Sequence, residues 1–338
     1  MPESTAGTPE NRRLRLRTAR FSLGSAVTLC LLKFAVGIAS GSLGILASAL
    51  DNVADIFMST VNLLSIRKAM DPADESHPYG HGKVETLSTF FEGGMVALTG
   101  AGVVWEAVRR LREGRAPEGV GLDVGILVMI FSVVASWFIS ERIRKGGETA
   151  GSTALAADAL HFRTDVYSGG GILVSLVLYR LTGWKWLDPG VALVVGAYIF
   201  SAAVPLLKGA VQDLMDHQLP PETVARVTAI IEAHRPMVVD WHDLRTRRSG
   251  SEKQIDFHVV VCRNHSLEQA HRVADHLEME IREMLGNAHV VTHIDPCEID
   301  CPGPDDCARA RGMISGLHSP ERDGEEVAAG TKGTKPGT

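Results

Sequence analysis

A chain of 338 residues that is 45% hydrophobic, with a mean hydropathy of +0.07, is too apolar for an ordinary soluble protein and too polar to lie in a membrane throughout, so two regions of different kind are expected. A formal net charge of −6 with both signs scattered leaves no basic face, which excludes nucleic acid as a partner. The five cysteines, Cys30, Cys262, Cys297, Cys301 and Cys307, are an odd number without a secreted-domain framework and point to a reducing, cytosolic setting.

Residues 1–15 have the composition of a disordered tail. The basic run Arg12, Arg13, Arg15, Arg17 and Arg20 resembles the start of a secretory signal. The apolar stretch after it is longer than a signal core, lacks a small-x-small cleavage end and runs at once into a second apolar stretch, so it reads as a first span with a cytoplasmic start. Apolar stretches of the roughly 20 residues needed to cross a bilayer fall at 21–41, 44–65, 86–108, 120–140, 152–181 and 188–210, and none follows Lys208. The expected organisation is a six-helix transmembrane bundle over 16–212, a cytoplasmic domain over 213–297 and a disordered tail over 298–338. Arg67, Lys68 and Lys83, then Arg142, Arg144 and Lys145, place alternate loops and both termini in the cytoplasm, as expected for a multi-pass protein of the inner cell membrane. Arg109, Arg110, Arg112 and Arg115 are the exception to that charge bias.

Ionisable residues at bilayer depth cost at least about 2.5 kcal/mol each, which makes them functional candidates. The second span carries Asp51 and Asp55, the fifth His161 and Asp165. Each pair is spaced i, i+4 and shares a helix face. Facing one another, the two helices would offer three carboxylates and one imidazole, a four-ligand cage for a borderline divalent ion. Asp158, one turn before His161, is either a supporting partner or a solvated helix-start residue. Gly93, Gly94, Gly100 and Gly102, with Gly169, Gly170 and Gly171, suit close helix packing. No role is assigned by sequence to Lys33 or Glu92.

The segment Asp74-Glu75-Ser76-His77-Pro78-Tyr79-Gly80-His81-Gly82-Lys83 sets Asp74, His77 and His81 close enough in a Gly/Pro loop to chelate one metal; the alternative is a solvated polar loop. Beyond Leu219-Pro220-Pro221 the pattern predicts a helix over 222–233 with Pro221 at its start. Strands over 238–247 and 254–262 follow, joined by the turn 248–251. A helix from an N-cap at Ser266 to Leu285, stopped by Gly286, precedes a last strand over 289–295. This is an α+β domain of ferredoxin-like, metallochaperone-like kind. Period-2 alternation puts His293 and Asp295 on one face. His242 and His258 belong to the other two strands and His271 to the covering helix, a set suited to two metals bridged by Asp295. His265, His276 and His289 are read as structural. Cys297, Cys301 and Cys307 match no zinc module; structural, redox and metal-binding readings stay open.

Ser48-Ala49-Leu50-Asp51-Asn52-Val53-Ala54-Asp55, His77-Pro78-Tyr79-Gly80-His81-Gly82-Lys83, Ala157-Asp158-Ala159-Leu160-His161-Phe162-Arg163-Thr164-Asp165, Trp241-His242-Asp243-Leu244-Arg245-Thr246-Arg247 and His293-Ile294-Asp295-Pro296 together resemble the motifs of the cation diffusion facilitator family, and most closely its bacterial ferrous-iron and zinc efflux branch. The resemblance covers residues 16–297. It implies a homodimer in the lipid bilayer that exchanges a divalent metal ion for protons by alternating access. It assigns Asp51, Asp55, His161 and Asp165 to the transport site, Asp74, His77 and His81 to a second site, and His242, His258, His271, His293 and Asp295 to a binuclear site at a cytoplasmic dimer interface. Lys83 and Asp216 match positions that interlock protomers in relatives. Members favouring manganese tend to carry a carboxylate at the position of His161, so this chain leans to zinc, ferrous iron, cadmium or cobalt, Zn2+ or Fe2+ serving both as substrate and as bound regulatory metal. Neither an H-E-x-x-H helix nor a P-loop occurs, so neither an enzyme nor an organic cofactor is expected. The remaining rival is a membrane-anchored metal sensor, which would need no ligands at mid-bilayer depth.

Overall fold

Among the described residues, six long helices make up the first part of the chain. The computed structural model describes residues 9–41, 43–113, 124–184, 186–235 and 237–298. Within them lie α1 (Pro9–Ser40), α2 (Leu43–Ala69), α3 (Lys83–Glu113), α4 (Val124–Ala150), α5 (Thr153–Thr182) and α6 (Leu187–Leu214). At a rise of about 1.5 Å per residue the shortest is about 40 Å long, enough to cross a hydrocarbon core of about 30 Å. Among the described residues, α1, α3, α6 and the stretch Ile126–Ala150 of α4 are long and apolar enough to cross a membrane.

The helices overrun the apolar stretches at both ends, most of all at α1, which is helical from Pro9 where a disordered tail to residue 15 is expected. The reason is a partner distant in sequence. Arg15, 5% exposed, forms an ion pair with the buried Glu85 of α3. The other oxygen of Glu85 accepts the hydroxyl of Ser152, whose own oxygen accepts the Leu155 N–H at the start of α5. Breaking a buried pair from one side costs several kcal/mol, so one carboxylate fixes the near ends of α1, α3 and α5. Residues 1–8 and those beyond 298, Cys301 and Cys307 included, lie outside the described residues.

The helices pack mainly as pairs: α3 on α6, α4 on α5 and α1 on α2. The closest approach is at Gly100 of α3 and Gly196 of α6. A Cβ on Gly100 would stand 2.6 Å from the Phe200 nitrogen and 3.0 Å from the Gly196 carbonyl oxygen, so only hydrogen fits. Gly94, Gly102 and Gly170 face open space instead, so close packing does not account for all the glycines. Arg109 and Arg110 each form an ion pair with Glu106, and Arg110 reaches Asp188 at 3.4 Å, which neutralises part of the charge that breaks the loop bias.

The chain divides into two compact units, 1–217 with 247–253, and 218–246 with 254 onward. The second contains α7 (Pro221–Ala233), β1 (Asp240–Ser249), β2 (Glu252–Val261), α8 (Leu267–Leu285) and β3 (Ala288–Pro296) in a sheet of order β1-β2-β3. Consecutive β1 and β2 form a hairpin. The Cys297 N–H beyond β3 donates to Val261 O at the end of β2, so these two strands run the same way and α8 is the crossover that parallel pairing requires. Alternation in β2 buries Ile255, Phe257, Val259 and Val261 with Val227 and Ile231 of α7 and Val273, Leu277 and Ile281 of α8. The other face carries His258. Trp241 and Leu244 both pack on that core although strict alternation would separate them; between them Asp243 has φ 51°, outside the extended region, which breaks the alternation. Helix α8 starts with a reciprocal capping box, Ser266 Oγ accepting from Gln269 N and Gln269 Oε1 from Ser266 N.

Gly100→Ala is expected to destabilise the bundle by about 1–3 kcal/mol, the range for overpacking a close contact, whereas Gly94→Ala is expected to be neutral; reversible unfolding in detergent micelles measures both. Ser266→Ala should cost about 1 kcal/mol, seen as faster amide exchange in the first turn of α8.

Candidate metal centres

On α2, Asp51 and Asp55 are separated by one helical turn, as are His161 and Asp165 on α5. The two helices meet so that His161 Nε2 lies 2.9 Å from Asp55 Oδ1. Asp51, Asp55 and Asp165 line one cavity of about 320 Å³, together with Ser132, Ser136 and Ser168. Lys33 of α1 lines it too, its Nζ donating to Asn52 Oδ1 at 2.8 Å and to Ser48 Oγ at 3.2 Å. The sequence assigned no role to that lysine; here it sets a positive charge beside three carboxylates. Glu92 of α3 and Asp158 of α5 are both 1% exposed and lie near enough to His161 for their charges to act on it. Neither oxygen of Glu92 has a hydrogen-bond partner among the described residues, and Asp158 is buried beside Ser22 and Ser59, which rules out its solvated reading. A larger cavity of about 420 Å³, lined by Thr99, Glu106, Arg110 and Asp188 among others, includes none of the four candidate ligands.

Three other groups bring three ligand atoms within 4.8 Å of one another among the described residues, and the α2–α5 quartet does not. The first is the loop cluster. Asp74 Oδ1 accepts the N–H groups of Ser76 and His77, at 2.9 and 2.6 Å, closing a tight turn that brings His77 Nδ1 to 3.2 Å and His81 Nε2 to 3.2 Å from the same carboxylate. The His77 backbone N–H, with the His77 and His81 rings, holds the Asp74 carboxyl below its ordinary range, so it stays charged in mild acid. The imidazole rings sit 4.6 Å apart. His81 is buried, with its Nε2 facing the Asp74 carboxylate and its Nδ1 without a hydrogen-bond partner among the described residues. Two imidazoles and a carboxylate fit a borderline divalent ion.

The second is the strand cluster. His242, His258 and His293 form a row across β1, β2 and β3, with ring separations of 5.0 and 4.6 Å. Asp295 stands beneath the row: Oδ2 is 2.9 Å from His258 Nδ1 and 3.5 Å from His242 Nε2, and Oδ1 is 3.3 Å from His293 Nε2. Both carboxylate oxygens are thus used in different directions, the disposition of a bridging ligand. His271 is elsewhere. It sits on an exposed face of α8 with Nε2 3.4 Å from Asp275, apart from the row within one chain. Sequence reasoning put His271 on the covering helix, and that helix covers the opposite face of the sheet from the histidine row.

The third group, His234, His276 and Glu280, was missed, although the i, i+4 spacing of His276 and Glu280 on an expected helix was a signal. Cys262 and Cys297 are buried side by side with Val239 and act there as small apolar residues. Lys83 Nζ lies 2.9 Å from Asp216 Oδ1 of the same chain, and Arg247 Nη1 3.2 Å from it. Partial burial works against the Asp216 charge, but these two cations outweigh it and hold the carboxyl below its ordinary range.

Comparison with known proteins gives the same outline. The family description "Cation efflux transmembrane domain" matches residues 19–215, and "Cation efflux protein, cytoplasmic domain" matches 219–297. Relatives include an uncharacterized transporter of Synechocystis sp., 32% identical over 85% of this chain and 92% of its own length. The cation-efflux pump FieF of Shewanella oneidensis is 31% identical over 83% and 94%, and that of Salmonella typhi 34% over 85% and 94%. With both of its parts matched in order, the chain belongs to the cation efflux family.

Proposed function

We propose that the chain exports a divalent transition-metal ion, zinc or ferrous iron first and cadmium or cobalt as lesser substrates, from the cytoplasm in exchange for protons. The observation that carries this reading is the cavity among apolar helices onto which Asp51, Asp55 and Asp165 open, with His161 in contact with Asp55. Ligands at that depth have no use in a sensor, which disfavours the rival reading. The names of the cation-efflux relatives agree with a cation cargo. One imidazole among carboxylates suits borderline ions better than the all-oxygen sets that favour magnesium or manganese.

Metal and protons compete for the same atoms, because a carboxylate or imidazole must be deprotonated to bind. Loading from the cytoplasm therefore expels protons, and protonation from the other side helps expel the metal. In the family mechanism the bundle rocks between inward- and outward-facing states around this site. The loop and strand clusters bind regulatory metal, and the cytoplasmic domain pairs two copies in the inner membrane with both termini in the cytoplasm. Lys83 and Asp216 would then serve at that pairing from a position where they already pair within one chain.

Purified protein in proteoliposomes tests the site. Asp51→Ala, Asp165→Ala and His161→Ala should each lower zinc and ferrous-iron uptake at least about tenfold, since even a ligand's supporting hydrogen bond is worth about 10–100-fold. Unchanged uptake in all three would move the assignment to the sensor. Inverted vesicles test the exchange: zinc uptake should rise when the lumen is made acidic relative to the bath and fall when a protonophore collapses the gradient. Indifference to the gradient would remove the proton from the mechanism.

A further inference from the structure

We infer that His234, His276 and Glu280 form an additional divalent-metal site that clips the end of α7 to the middle of α8. It is separate from the strand cluster, because α7 and α8 cover the opposite face of the sheet from the row of histidines, and it does not depend on the transport reading.

His234 caps the C-terminus of α7, and its Nδ1 stands 2.8 Å from Ile230 O. A carbonyl oxygen only accepts, so Nδ1 carries a proton, which leaves Nε2 as the nitrogen available to a metal. A backbone carbonyl on one ring nitrogen, freeing the other, is the usual way a protein orients a metal-binding imidazole. That Nε2 points at Glu280 Oε2, 3.3 Å away. On α8, His276 lies one turn before Glu280, with Nε2 4.0 Å from the same oxygen and its ring 5.0 Å from that of His234, edge to face. The three ligand atoms fall within 4.8 Å of one another. Donors at bond lengths of about 2.0–2.2 Å around a tetrahedral ion stand about 3.4 Å apart, so the gap to close is small and falls mainly on His276, whose half-exposed side chain is free to swing.

Two imidazole nitrogens and one carboxylate oxygen select zinc, cobalt, nickel or ferrous iron over calcium or magnesium. Three protein ligands leave a fourth position for water. His234 is mostly covered, with 13% of its side chain exposed, whereas Glu280 and His276 are 43% and 50% exposed, so the ion reaches the site directly from solvent and exchanges with it.

The full-length chain in detergent micelles, stripped of metal and titrated with zinc alone, tests this by equilibrium dialysis, with His276→Gln and Glu280→Gln compared to the unaltered protein. Both positions are on the surface, so the fold should survive, which circular dichroism checks. Each variant should bind one zinc fewer per chain, and zinc-dependent protection of the amides at 230–234 against hydrogen exchange should vanish. His276→Cys, which restores a zinc ligand, should recover the missing ion. Equal zinc binding in the unaltered protein and both variants would reduce the cluster to a surface ion pair. Loss that His276→Cys does not restore would overturn the site equally, by marking a general disturbance of α8.

Discussion

The cost of carrying charge inside an apolar bundle organises this molecule. A carboxylate in hydrocarbon without a partner is expensive, and α2 and α5 carry Asp51, Asp55, Asp158 and Asp165 between them. Their surroundings meet part of that cost with polar neighbours rather than lipid: His161 stands against Asp55 and the Lys33 ammonium lines the cavity of Asp51, Asp55 and Asp165, while both oxygens of the buried Asp158 have no hydrogen-bond partner among the described residues. Helices that must keep such groups covered need others around them, and the four strongly apolar helices supply that cover. The tight α3–α6 seam at Gly100 and Gly196 and the Glu85 junction of α1, α3 and α5 then hold the cover in place from two directions.

Much of this is legible in the sequence, because it is written in short-range periodicity. Six apolar stretches mark six helices to within a few residues at most of their ends. The order helix, strand, strand, helix, strand follows from Pro221, the Ser266 cap, Gly286 and simple alternation, which also puts His293 and Asp295 on one face. What escapes the sequence is decided by partners far along the chain. Arg15 reads as one more arginine of a polar tail; only Glu85, 70 residues away, turns it into a buried helical residue. His271 reads as a residue of the covering helix, and which face of the sheet that helix covers within one chain is decided by the crossover and not by local pattern. His234 has no neighbour in sequence that hints at metal, since its companions lie more than 40 positions further on.

The same donor chemistry thus occurs in several settings, and the settings differ in how far the ligands are pre-assembled. In the loop and strand clusters the carboxylate already stands within 2.9–3.5 Å of its imidazoles, so little ordering is left for binding to accomplish and affinity benefits. The bundle quartet is different: one contact, Asp55 with His161, is made, and two carboxylates wait on the wall of a shared cavity.

That difference agrees with the role proposed for each place. An ion held by a fully formed cage leaves slowly, since each 1.4 kcal/mol of added affinity costs about a factor of ten in the dissociation constant. A carrier must let go on every cycle, so in the proposed exchange part of the binding free energy is spent on drawing α2 and α5 together around the ion, and returned when protons replace it. The Asp55–His161 contact suits such a cycle: it satisfies both groups when the metal is elsewhere, and yields to the ion because one metal replaces the interaction for both side chains at once. The regulatory role proposed for the other two clusters carries no such obligation to release on each turnover, and there the carboxylates of Asp74 and Asp295 stand beside their imidazoles before any ion arrives.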